Sequence, residues 1–157
     1  MANVLYEASF KFEFSFLIPV VMLIFIPIFA STMKKSYSTK VNDVFCGIAF
    51  VFVAIAFVLS VCSYSNAYKE SVGAYERGEY EIVEGYVDNY AYGRDGERFY
   101  IDGVEFYYND YRVQPGYNNT RSHGGVVEGN GQHLKIGYVF VEDYGNIIVY
   151  IEELPSE

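Results

Sequence analysis

Residues 110–131, DYRVQPGYNNTRSHGGVVEGNG, gather most of the side chains in this sequence that can bind or react. Arg112, Arg121 and His123 are basic groups in an otherwise acidic region, Asp110 and Glu128 supply carboxylates, and Tyr117 adds a ring and a hydroxyl. Five glycines and Pro115 allow positive φ at several positions, so backbone N–H groups can turn toward one point and complete an anion or carboxylate pocket. Asp110, Arg112, Tyr117, Arg121, His123 and Glu128 are therefore the candidate ligand-binding residues.

Catalytic and metal chemistry have less behind them. His123 stands before Gly124-Gly125 and reads first as a loop histidine bonded to backbone; paired with Asp110 or Glu128 it is the general acid–base of an alternative reading, an envelope hydrolase or transferase. Ser122-His123 is not a nucleophile motif, because no G-x-S-x-G elbow occurs. His123 and His133 lie ten residues apart, which matches no compact metal-ligand pattern, and Gly129-x-Gly131 lacks the third glycine and following helix of a dinucleotide site. No catalytic residue, metal or cofactor is assigned. Asn118-Asn119-Thr120 is a glycosylation acceptor only in a eukaryotic secretory route.

The elements that must hold this loop read as strands. Residues 79–90, EYEIVEGYVDNY, alternate as a twisted first strand. Residues 98–101 and 104–108 flank Asp102-Gly103, a strong hairpin signal, with Phe99 and Ile101 facing Val104 and Phe106. Residues 132–141 and 146–154 form a second hairpin through 142–145. About five antiparallel strands predict a small all-β domain over 79–157, curled into an open barrel of OB type. Before it, Tyr64, Tyr68, Val72 and Tyr75 keep a helical rhythm that Gly78 terminates, giving a juxtamembrane helix over 65–78 with Tyr64 and Tyr68 as interfacial anchors.

The first 64 residues address another solvent. Residues 44–62, VFCGIAFVFVAIAFVLSVC, carry no charge or proline, and their twelve Val, Ile, Leu and Phe residues favour bilayer insertion by roughly 4 to 7 kcal/mol. Residues 14–33 form a second uncharged run bent by Pro19 and Pro27. The pair predicts a membrane α hairpin over 1–64. Lys34, Lys35 and Lys40 in the 34–43 loop put that loop in the cytoplasm and the β domain outside. Ala49, Ala56 and Ser60 share a helix face suited to the first helix or to a second copy. Cys46 and Cys62 lie too far apart on one helix to bridge, and Leu59-Ser60-Val61-Cys62 departs from a lipoprotein processing box at Val61.

Charge narrows the partners. Residues 1–64 hold four basic and three acidic groups and residues 65–157 the other seven and seventeen, so the second part carries a net −10. Nucleic acid and anionic headgroups are repelled from it. Neither apolar run carries an ionisable residue at depth, which argues against a transporter.

Residues 83–87 (VEGYV), 101–108 (IDGVEFYY) and 117–125 (YNNTRSHGG) resemble a group of small bacterial membrane proteins with two N-terminal transmembrane helices and a C-terminal β domain carrying an SHGG loop. The resemblance implies a bacterial envelope protein of the inner or plasma membrane and carries over no activity. The expected function is that of a membrane-anchored, extracytoplasmic binding module for a protein or other envelope ligand, with the bilayer, an envelope protein and further copies of the chain as partners. Its contact surface is the 110–131 loop with exposed tyrosines.

Overall fold

The computed structural model describes residues 3–9, 21, 24, 25, 28, 40–112 and 114–155. The chain divides into two units, Met1–Lys11 with Asn66–Glu157, and Phe12–Ser65.

The described residues correct the expected architecture. They hold one long helix, α1 (Lys40–Glu70), and seven strands in two antiparallel sheets of four and three, where two membrane helices and a single five-stranded open barrel were expected. Most of the 14–33 run and the lysines at 34 and 35 lie outside the described residues. In α1 the Ser60 hydroxyl donates to the Ala56 carbonyl and is satisfied locally. The helix is apolar and long enough to cross a membrane by length and composition, and large side chains such as Phe52 and Leu59 are exposed on it. Ala56 and Ser60 are also exposed.

The strands are β1 (Asn3–Glu7), β2 (Glu81–Tyr86), β3 (Asp88–Gly93), β4 (Gly96–Ile101), β5 (Val104–Tyr108), β6 (His133–Val141) and β7 (Gly145–Glu153). One sheet runs β1-β7-β6-β2 and the other β3-β4-β5. The single strand expected over 79–90 becomes two, parted at Val87, and β3 itself carries an irregularity between Asp88 and Ala91, where Asn89 adopts φ 50°. The first half of the expected strand joins β6 and the second half β4. The unexpected β1 pairs with β7, where five residues of mixed polarity offer little periodicity to read. The β4–β5 hairpin forms as expected: Asp102 and Gly103 both have positive φ, and Phe99 pairs with Phe106.

The two sheets share one core. Val83, Leu134, Ile136 and Ile151 from the first meet Phe99, Ile101, Phe106 and Tyr108 from the second. Strand β7 is buried on both faces, which is why residues 147–151, IIVYI, read as a continuous apolar run rather than an alternation. Its other face, Ile147 and Val149, packs with Ala8 and with Val72 of the short helix α2 (Val72–Glu76). Tyr68 and Tyr75, both partly buried, lie against this second cluster. Gly78 ends α2 with φ 74°, as its position predicts.

Candidate functional site

The loop from Asn109 to Gln132 is built into the domain from below. Tyr117 is not an exposed contact: it is 2% exposed, its N–H donates to the Ile148 carbonyl, and its hydroxyl accepts from the Val126 N–H at 2.6 Å. Its ring packs edge-on against Tyr108 and Tyr6. Gly116 precedes it at φ 88°, where a Cβ would come within 2.5 Å of the Ile147 side chain and 2.6 Å of the Ile148 carbonyl oxygen. The ring and the glycine together pin the middle of the loop to β7.

Two carboxylates clamp the next segment. Asp110 accepts the Thr120 N–H at 2.8 Å and also the Thr120 hydroxyl, and Glu97 of β4 accepts the following N–H, that of Arg121, at 2.6 Å. Glu97 is fully buried, and its second oxygen accepts the Tyr108 hydroxyl at 2.8 Å. No cation faces it among the described residues, so two charge-assisted hydrogen bonds carry the solvation of a buried carboxylate. Beside it, Tyr90 buries a hydroxyl that has hydrogen-bond geometry to no described group. Burial first, then the Glu97 charge, pushes the Tyr90 phenol up to about 12. The Tyr108 phenol is raised by burial first, then by the neighbouring Tyr117 and Glu97, and Tyr117 is pushed up to about 12 chiefly by burial.

The clamped residues open a 3-10 turn, Arg121–His123, closed by Gly124 at φ 81°. Gly125 follows because a Cβ there would lie 2.4 Å from the Asn119 carbonyl oxygen. The SHGG stretch is thus a turn whose glycines serve a left-handed cap and a close approach. The turn presents His123, whose Nδ1 lies 2.9 Å from Asp110 Oδ2 and whose side chain is 61% exposed. Burial alone would raise the Asp110 carboxyl, but the two Thr120 bonds and the His123 contact outweigh it and hold it below its ordinary value. The Ser122 hydroxyl also approaches Nδ1, at 3.2 Å, the nitrogen that Asp110 already engages. Ser122, His123 and Asp110 therefore do not form a nucleophile–base–acid relay, which needs the serine at Nε2. An imidazole oriented by a carboxylate, with Nε2 unpartnered among the described residues, can accept a proton or a hydrogen bond from a ligand.

Above this turn lies a cleft of about 420 Å³, bounded by Tyr92, Arg94 and Asp95 from the β3–β4 turn and by Asp110, Tyr111 and His123. Tyr92 and Tyr111 are 62% and 82% exposed.

The six sequence candidates do not converge. Only Asp110 and His123 share this cleft. Arg121 turns away, donates to the Glu128 carbonyl at 3.0 Å and lines, with Glu128 and His133, a separate polar cleft of about 700 Å³. Arg112 donates to the Asp143 carbonyl and lies over the Tyr144 ring. Glu97 and Thr120 escaped the sequence reading, although Glu97 sits at period two from Phe99 and Ile101 and so belongs to their inward face. Among the described residues no group of His, Cys, Asp and Glu is arranged to hold a metal.

Compared with known proteins, the chain matches no family model, no curated protein and no solved structure. The resemblance through the SHGG loop rests on those residues alone.

Proposed function

We propose that the β domain is a binding module held at a membrane by α1, and that its contact surface is the cleft between Tyr92 and Tyr111. The observation that carries this is the pairing of two exposed tyrosines, Tyr92 on β3 and Tyr111 on the loop, with a histidine fixed by Asp110 on a loop braced by Tyr117 and Glu97. Exposed tyrosines offer large contact area at small entropic cost, and braced loops bind without first having to order. The uncharged, exposed stretch of α1 supports the membrane side.

The test is capture in intact cells. Benzoylphenylalanine replacing Tyr111 should crosslink a partner that the same group at Tyr86, an exposed position on β2, does not. Equal capture, or none, at the two positions removes the cleft as the contact surface.

A second reading, acid–base catalysis by His123, is favoured by the 2.9 Å Asp110 contact at Nδ1. It requires the tautomer with the proton on Nδ1, leaving Nε2 as base. Nitrogen chemical shifts reporting the Nε2–H tautomer, or a freely averaging ring, would sink it.

A further inference from the structure

We propose that the cleft between Tyr92 and Tyr111 receives a cationic side chain, Lys or Arg, from a basic segment of a partner polypeptide. This rests on the binding reading above and gives its occupant a chemistry.

The domain itself displays what a cation settles against on this surface. Arg98 lies 5.6 Å from the centre of the Tyr107 ring with its Nε 3.1 Å from Glu105. Arg112 lies 4.9 Å from the centre of the Tyr144 ring while donating to the Asp143 carbonyl at 2.7 Å. Each arrangement combines an aromatic ring with an oxygen acceptor. The cleft has the same parts, two tyrosine rings and the Asp95 carboxylate, and none of these three side chains has a partner among the described residues.

The charge inventory points the same way. Of the seven basic residues after position 64, Arg77, Arg98 and Lys135 face carboxylates and Arg112 and Arg121 bond carbonyls, which leaves Lys69 and Arg94 against seventeen acids. A cationic segment is steered toward such a surface, and phosphate-bearing ligands are turned away. Arg94 borders the cleft beside Asp95 and competes with an incoming cation for it. That competition gives the inference a sign-reversing test.

The experiment uses the full chain in neutral detergent micelles and a fluorescent glycine–serine decapeptide carrying three arginines, with a second peptide in which citrulline replaces arginine. The arginine peptide should bind at low salt and the citrulline peptide should not. Tyr92→Ala and Tyr111→Ala should each weaken binding about two- to fivefold, Asp95→Asn by a similar factor, and Arg94→Ala should tighten it about twofold. All four positions are exposed, so the fold tolerates these changes. Equal binding of both peptides, or affinity unmoved by Asp95→Asn and both tyrosine variants, overturns the cation. Capture by the crosslinker at position 111 that maps to a partner segment without Lys or Arg overturns it too, while leaving the cleft as a contact surface; capture equal to that at position 86, or none, overturns both.

Discussion

Removing Glu97 tests whether a buried carboxylate without a cation is held by the two bonds described for it. In Glu97→Ala, the Arg121 N–H and the Tyr108 hydroxyl each lose their acceptor in a site closed to solvent. An orphaned buried polar group costs about 1 to 3 kcal/mol, so the variant should lose about 2 to 6 kcal/mol, partly relieved if water enters the vacated space. Glu97→Gln keeps one carbonyl oxygen for Arg121 and puts an amide N–H₂ against Tyr108, which must then accept. Replacing charged by neutral bonds costs about 1 kcal/mol each, so a loss near 2 kcal/mol is expected. Glu97→Met with Tyr108→Phe removes both side-chain partners and should recover about 1 to 2 kcal/mol relative to Glu97→Met alone. Urea unfolding of the full chain in micelles, followed by near-UV circular dichroism of the tyrosines, reads all four variants. If Glu97→Ala loses less than about 1 kcal/mol, or Glu97→Gln is as damaging as Glu97→Ala, the carboxylate does not hold the turn as argued.

Two further outcomes follow from the same loop. Gly125→Ala should destabilise the domain by more than about 3 kcal/mol, since its Cβ meets backbone at 2.4 Å, whereas Gly103→Ala, with open space around a φ of 79°, should cost only about 1 to 2 kcal/mol; comparable losses would mean that the loop relaxes freely around Gly125. Because the folded Asp110 carboxyl lies below the unfolded value of 3.8, its contribution is present above that pH and is lost as pH falls through the lower folded value. Asp110→Asn should therefore flatten the acid limb of the stability curve below about pH 4, and an unchanged limb would contradict the clamp.

How much was legible in the sequence can be argued residue by residue. Asp102-Gly103 announced its hairpin because a two-residue turn needs positive φ at both positions, a demand that few residue pairs meet cheaply. Gly78 announced a helix end for the same reason. The seven-strand, two-sheet arrangement was not legible: the change of sheet at Val87 falls on one residue inside an otherwise regular alternation, and β1 depends on a partner almost the whole chain away. The site was half legible. Of the two carboxylates offered as partners for His123, Asp110 meets it and Glu128 lines another cleft, while Tyr117, grouped with the ligand contacts, fills the core, and Arg112 and Arg121 spend their guanidinium groups on carbonyls of their own domain. Sequence proximity gathered these residues into one pocket; a loop that doubles back across β7 sends neighbouring side chains to different faces.

The pairing of β1 with β7 also sets an order of assembly. Asn3 aligns with Glu153 and Val4 with Glu152, so one edge of the four-stranded sheet closes only when the last strand exists. During synthesis β1 is made before the apolar helix and waits through that helix and five strands, β2 to β6, for its partner. A chain stopped before β7 leaves both β1 and β6 with unpaired edges, the surfaces by which incomplete sheets stick to one another. Completion of the four-stranded sheet is therefore a late event.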